Sequence, residues 1–492
     1  MADTNIRPAK KFAFDVGWVF ISSVIVLMLH FFQKPVMARY LGPDGLGLFS
    51  MAFMIIGIVE IIAGFGIGEA LVKYVAEYRE CERVSSLTSS AFITISVFGI
   101  ITSVALFFSS NLFADIFDMP YLSILLKIYA IAFPFSLIYG IILGFLRGLR
   151  KMKYFAFLRI LDASLALAFI LAFLAAGFWV EGAMLGILFE IIVIFVVGML
   201  IMKKFMRFSL SDYQGNTKML ASFGSRIIGA NIVGQIYYNI DTLMIGYFLT
   251  STEVGYYAVA ISLSRFFWLV PRAIATVAYP AISEYWANGN RQAVNKLVDK
   301  STKYSACILI FAGMSIVFFA KDIITFLFTP EFLPAVLPLA ILITGTVTSG
   351  ILRSVGEIFA SVGKVNLVLK ISIIGAVGDI ILNMILIPIY GIIGAATATA
   401  ASQVLNVGIT IYFLRKALVI KLDTPWFIKM VMLISLLAVL FYGLSILNHY
   451  FSATIALFLY TIAIIKYFLT KEDKAYFVSI VKHALYGDFI KV

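Results

Sequence analysis

Residues 38–49 read ARYLGPDGLGLF, and residues 239–260 read NIDTLMIGYFLTSTEVGYYAVA. The two passages are versions of one pattern. Tyr40 precedes a glycine-rich turn ending at Gly47, and Tyr247 precedes one ending at Gly255, offsets of 207 and 208 residues. Farther along, Glu77-Tyr78 returns as Glu284-Tyr285, again 207 residues apart. A repeat this long describes two similar halves rather than a solenoid of short units. In a chain that spans a membrane, duplicated halves mark a transporter whose path runs between them.

The composition places the chain in a membrane. It is 62% hydrophobic and 13% charged, with a mean hydropathy of +1.02, whereas soluble chains carry about a quarter charged residues. A span needs about 20 apolar residues. Fourteen such runs are legible, at about 14–38, 46–72, 86–109, 121–147, 154–176, 180–202, 221–249, 253–283, 303–328, 333–361, 365–388, 391–413, 426–446 and 450–469. Connections between them are short.

The net charge of +12 is distributed by topology. With the N-terminus placed inside, 27 of the 38 basic residues fall in alternate connecting segments, from Lys10 and Lys11 through Arg147, Arg150 and Lys151 to Lys466 and Lys471. The opposite turns keep only Arg39 and Lys321, and one of them carries Asp115 and Asp118. This is the positive-inside bias, and it predicts an even span number with both termini cytoplasmic. A nucleic-acid partner is not expected. Both copies of the turn then lie outside, so the repeat unit holds an even number of spans and the halves are parallel. The expected organisation is 1–210 (spans one to six), 211–420 (spans seven to twelve) and 421–492. The last piece adds spans thirteen and fourteen and an amphipathic cytoplasmic tail over 471–492. The segment 203–220, with Ser211, Asp212, Gln214, Gly215 and Asn216, reads as the hinge between halves.

No catalytic or metal centre is expected. His30, His449 and His483 do not cluster with Cys or carboxylates at metal-ligand spacing, and no phosphate-binding loop or dinucleotide fingerprint is present. Cys81 and Cys307 both fall on the reducing side, so no disulfide is expected.

The turn at 38–49, followed by a span ending LVKYVAEY at 71–78, resembles the start of a polysaccharide or O-antigen flippase. The passage at 239–260 is similar to the seventh span of that family, within the multidrug/oligosaccharidyl-lipid/polysaccharide exporter superfamily. The resemblance covers essentially the whole chain. It implies an all-α integral membrane protein of about fourteen helices. Two six-helix lobes would be related by a pseudo-two-fold along the membrane normal, with two further C-terminal helices shaping a groove for a lipid tail. It also implies alternating access and a cargo of isoprenoid-phosphate- or pyrophosphate-linked oligosaccharide moved outward for glycan assembly. No cofactor is implied beyond a coupling ion, H+ or Na+. A monomer near glycosyltransferases or a polymerase is expected. Rival readings are a multidrug/cation antiporter of the same superfamily, a lipid II flippase, and a membrane glycosyltransferase or glycan ligase.

Such a cargo needs cations for phosphate, and arginine binds two phosphate oxygens at once. Charged groups within spans are costly and rarely face lipid. Arg265 and Arg272 lie seven apart in span eight, with Pro271 expected to kink the helix between them. Arg39 and Arg353 complete the phosphate candidates. Arg353 has an alternative local partner in Glu357, as Arg159 has in Asp162. Lys34 corresponds to Asp241 in the repeat, which suggests an outer gate pair. Asp241, Asp379 and an isolated Glu60 are candidates for ion coupling. Asn231, Gln235, Asn239, Gln403 and Asn406 are candidates for sugar hydroxyls, with helix–helix bonding the competing reading.

Overall fold

The computed structural model describes residues 8–474 except 79, 357, 421, 447 and 472. At 8–13, 230, 231, 233, 236–238, 354–356 and 365 it describes the backbone alone. The tail over 475–492 therefore lies outside the described residues, as do Glu357 and the side chain of Asn231.

The described residues are helical almost throughout. In chain order the helices are α1 (Pro8–Gly64), α2 (Ile67–Glu77), α3 (Cys81–Ile116), α4 (Pro120–Gly148), α5 (Met152–Ala175), α6 (Val180–Met202), α7 (Tyr213–Phe248) and α8 (Ser251–Arg265). They continue with α9 (Leu269–Ala287), α10 (Arg291–Phe318), α11 (Ala320–Leu327), α12 (Val336–Gly356), α13 (Ile358–Ser361), α14 (Val365–Leu418), α15 (Thr424–Ser445) and α16 (His449–Ala463). Eleven helical stretches among the described residues are long and apolar enough to cross a membrane. Two of these, in α1 and α14, are each a pair of helices joined at a kink, at Gly42 and Gly391. The 36-residue α7 falls outside the eleven. It carries Arg226, Asn231, Gln235, Asn239 and Asp241, which lower its hydropathy.

The two copies of the turn restart their helices by different local chemistry. In the first, Gly42 takes φ +65°, which a residue with a Cβ rarely adopts, and Pro43 follows at the first position of the new helical segment. Proline suits that place because its missing N–H has no helical partner there anyway. In the second, Thr250 and Glu253 form a capping box: Glu253 Oε2 accepts from the Thr250 amide at 3.0 Å and from its hydroxyl at 2.5 Å.

By contact the chain divides into two units. The first comprises Met1–Ala260, Ile324–Pro338 and Ala376–Ala398; the second comprises Ile261–Ile323, Leu339–Gly375 and Thr399–Val492. In the first, glycines let helices approach closely. A Cβ on Gly186 would lie 2.7 Å from the Ile170 nitrogen, and one on Gly144 would lie 2.8 Å from the Gly68 carbonyl oxygen. Membrane helices associate through such small residues because lipid removes the hydrophobic drive. The segment expected as a hinge is tied down on α3: the Asn216 amide donates to Ser86, Ser90 and the Ser211 carbonyl. Asp212 pairs with Arg83 at 3.4 Å.

The second unit has a core of Ala278, Ile282, Val294, Val298, Leu352, Ile358, Phe359, Leu414, Leu418 and Ile420. The appended helices α15 and α16 are fastened to α10 at both ends. At one end Phe318 and Phe441 stack with centroids 4.0 Å apart, and the His449 ring is 2.7 Å from the Phe318 carbonyl. At the other, Lys303 bridges Asp299 and Asp423 at 2.7 and 2.8 Å. There Tyr304 donates to Asp473, which Lys300 also approaches at 3.5 Å. Hydrogen bonding to Lys303 lowers the Asp423 carboxyl below its ordinary range, against partial burial. Burial works against ionisation of Asp473, but bonds from Thr470 and Tyr304, with Lys300 nearby, bring it down to about 2.

Candidate functional site

Three of the four predicted phosphate-binding arginines belong to the second unit, and one of them, Arg353, packs on Trp268. Arg265 ends α8, exposed, and Arg272 is exposed near the start of α9. Between them Phe266–Trp268 form a single 3-10 turn. The break thus falls just before Pro271 rather than at it. Proline has no N–H for the carbonyl four residues earlier and its ring crowds that carbonyl, so the disruption appears one turn upstream. Arg353, from α12, lays its guanidinium over the Trp268 ring at 3.9 Å from the centroid. A cation over an indole face is held by the ring quadrupole. Glu357, the local partner considered for Arg353, is outside the described residues.

Trp268 is the residue that sequence reasoning passed over. Its signal is present in the run RFFWLVPR at 265–272, where an indole stands between two arginines. In the same unit, Gln403 and Asn406 occupy notches left by glycines. A Cβ on Gly345 would lie 2.8 Å from Gln403 Oε1, and one on Gly375 would lie 2.1 Å from Asn406 Nδ2. Gln403 is buried and Asn406 half-buried, a placement that suits helix joining.

The remaining candidates belong to the first unit. Arg39 is exposed and donates from Nε to the Leu327 carbonyl at 3.2 Å and from Nη2 to the Phe326 carbonyl. Lys34 is half-buried, and Asp241 is 1% exposed and accepts from the Tyr257 hydroxyl at 2.7 Å. Asp379 and Asn383 are buried together on α14. Asn239 Nδ2 donates to the Gln235 carbonyl at 3.2 Å, one helical turn back.

Glu60 is not isolated. The Tyr129 hydroxyl donates to it at 2.7 Å, and Ser136 donates to the same oxygen. Both partners come from α4, some 70 residues away in sequence, so no local spacing announces them. Glu60 and Ser136 line a cavity of about 360 Å³ with Glu69, Arg147 and Arg159 on its walls. Glu69 and Arg147 pair at 3.1 Å. Asp162 meets the buried Glu190 of α6, and no ion pair joins it to Arg159 among the described residues. Glu190 gave no signal in the sequence, being one acid in an apolar run.

Comparison with known proteins agrees with this architecture. A model of the polysaccharide biosynthesis protein family matches residues 12–286, more than half of the chain, and a MatE model matches residues 227–385. The probable low-salt glycan biosynthesis flippase Agl15 of Haloferax volcanii is 26% identical over 82% of this chain and 83% of its own length. The lipopolysaccharide biosynthesis protein WzxC of Escherichia coli is 25% identical over 56% of each chain. Among solved structures, the lipid II flippase MurJ in an inward closed conformation superposes with a TM-score of 0.72 at 18% identity, covering 90% of this chain and 98% of that one. The fold is thus that of the superfamily whose resemblance the duplicated turns carry, and the chain is a multi-pass membrane protein of the polysaccharide biosynthesis protein family.

Proposed function

We propose that this protein is a flippase that moves an isoprenoid-phosphate- or pyrophosphate-linked oligosaccharide across the cytoplasmic membrane by alternating access, in the assembly of a polysaccharide or glycan. The observation that carries the reading is Arg353 laid over the Trp268 ring, with the exposed Arg265 and Arg272 three and four residues from that indole in the chain. Cations amid apolar spans are expensive unless an anion or a polar cavity meets them. A phosphate bridge is the anion that planar guanidinium groups match best, and an indole face suits a sugar ring or an isoprenoid. A cation antiporter would place carboxylates there instead.

The basic connecting segments face the cytoplasm in this reading, and the duplicated turns face outward. Both termini are cytoplasmic and the working unit is a monomer. The protein carries out no covalent chemistry; energy comes from an ion gradient or from consumption of the cargo. Glu60, on the wall of its cavity, and the buried Asp241 and Asp379 are the coupling candidates. Relatives bearing flippase names support this reading.

The test is reconstitution into vesicles with a fluorescent lipid-linked oligosaccharide, read by quenching from outside. Wild type should flip the labelled lipid and Arg265→Ala should flip it much more slowly. Equal rates would dispose of the arginine site. Lipid II as competitor identifies the cargo: strong inhibition would transfer the reading to that substrate.

A further inference from the structure

At several helix ends the basic side chains are matched by acids. Arg83 meets Asp212, Arg147 meets Glu69, Arg150 meets Asp15, and Lys303 lies between Asp299 and Asp423. The end of α14 is different. Arg415 and Lys416 stand side by side in its last turn, both exposed, and neither forms an ion pair among the described residues. Their partners are neutral: Arg415 Nη2 donates to the Thr424 hydroxyl at 3.1 Å, and Lys416 Nζ donates to the Tyr412 hydroxyl at 3.0 Å. A helix C-terminus attracts cations to its unpaired carbonyls, but here that role is taken by Lys364, whose Nζ donates to the Ala417 carbonyl at 2.7 Å. Lys364 therefore brings a third positive charge to the same helix end.

Arg415 and Lys416 head a groove of about 490 Å³, lined also by Gly408, Ile411 and Tyr412. The spacing of these five positions puts them on one face of the helix. Gly408 makes the dent, since a Cβ there would meet nothing within 4 Å and the glycine leaves that space open. The same face continues away from the helix end as exposed apolar surface at Leu405, Val404 and Ala401. From Ala401 to Lys416 it runs about 22 Å at about 1.5 Å per residue, which exceeds half the thickness of a hydrocarbon core of about 30 Å.

We propose that this groove binds an anionic phospholipid, with the phosphate held by Arg415 and Lys416 and one chain laid along Gly408 and Leu405. A cationic head leading into an apolar channel matches both parts of that molecule. The guanidinium fork suits phosphate oxygens, and basic pockets at the membrane face hold anionic headgroups. Position along the helix separates this site from the cargo arginines: Arg265 and Arg272 lie within a span, whereas Arg415 and Lys416 close one, at the level of the headgroups. Arg415 also holds Thr424, the first residue of α15, so the bound lipid fastens the joint between α14 and the appended helices. The inference is independent of what the protein transports.

The experiment titrates the purified full chain, stripped of lipid, in micelles with phosphatidylglycerol or with phosphatidylcholine of the same chains, and counts bound lipids by native mass spectrometry. The first phosphatidylglycerol should bind at least about tenfold more tightly than phosphatidylcholine. Arg415→Gln/Lys416→Gln should remove most of that preference, since each basic residue near an anionic headgroup contributes about fivefold. Lys466→Gln/Lys471→Gln removes the same charge from other exposed positions and should leave the preference within about twofold. Gly408→Leu keeps every charge and fills the groove, and should weaken phosphatidylglycerol binding by about fivefold or more. Equal losses in the two double variants, or full binding by folded Gly408→Leu, would reduce the effect to bulk charge and overturn the proposal. So would displacement of phosphatidylglycerol by an equal concentration of a polyisoprenyl monophosphate, which would give the groove to the cargo's tail. If Gly408→Leu does not fold, the contrast between the two double variants decides. No readout involves flipping, so failure of the cargo reading leaves this test intact.

Discussion

The contact between the turns and the break between α8 and α9 are built on opposite rules. At the first, the duplicated turns meet through the absence of side chains: Gly47 and Gly255 bring backbone against backbone. At the second, large side chains are gathered and left accessible, with Arg265 and Arg272 exposed and Arg353 spread on Trp268. Prolines act differently in the two places as well. Pro43 starts a helical segment after Gly42, whereas Pro271 interrupts one. The difference teaches what each region can tolerate. A contact made of backbone fails with one added methyl. A cluster of charges fails only when a charge or its platform is removed, and then by degrees.

The sharpest way to break this comparison is to add methyl groups where the packing allows none. Overpacking a close contact costs about 1–3 kcal/mol per site, and the two glycines oppose each other's halves. Gly47→Ala/Gly255→Ala should therefore cut flipping by about a hundredfold or more, in vesicle assays scaled to protein recovered in the membrane. The same exchange at Gly443, where a Cβ would meet nothing within 4 Å, should leave the rate within about twofold. Next comes Arg265→Ala, with an expected fall of about ten- to hundredfold in initial rate, since charge-assisted bonds contribute about 1.5–3 kcal/mol. Arg265→Lys should recover part of it, because an ammonium keeps the charge but not the two-pronged geometry.

Trp268→Leu is a smaller test of the same region. It keeps the apolar bulk and removes the ring under Arg353, a contact of about 0.5–2 kcal/mol. Flipping should fall by about two- to thirtyfold, chiefly through a higher apparent KM for the lipid-linked sugar. An unchanged KM would make Trp268 merely a packing residue.

The smallest effect lies with the appended helices. The folded Asp473 carboxyl titrates at about 2, below its unfolded value of about 3.9. A lowered carboxylate contributes stability that is fully present above the unfolded value and is lost as pH falls through the folded one. Thermal unfolding of the purified protein should accordingly be flat in this contribution from pH 7 to about pH 5 and weaken below about pH 4. Asp473→Asn should lower stability by about 2 kcal/mol at pH 7 and by progressively less under acid. A constant deficit at all pH values would exclude the ionised latch.

Much of the membrane architecture is legible because lipid imposes a simple code. Long apolar runs and alternating basic segments disclose spans, and Gly-Pro and Thr-Ser-Thr-Glu disclose where helices restart. The turn at 38–49 and its copy stand out because a glycine pattern survives in both. The functional contacts are less legible, since their partners lie on different helices. Glu60 reads as an isolated acid, yet Tyr129 and Ser136 reach it from α4. Asp162 has an arginine three residues away and meets Glu190 instead. Arg353 has an acid four residues on, while its described contact is the indole of Trp268, 85 residues earlier in the chain.

By itself the sequence determined that this protein crosses the membrane many times and carries a duplicated turn, and which residues are candidates for an anionic lipid-linked cargo. Those conclusions follow from hydropathy, charge and repetition, which are properties of the chain as written. Only the tertiary structure decided that the duplicated turns meet each other, that Arg39 engages the end of α11, and that Trp268 is the platform under Arg353. The physical reason is range. Periodicity and charge bias act along the chain, whereas close backbone approach and side-chain pairing depend on which helices pack together, and that is settled by the sum of many small contacts.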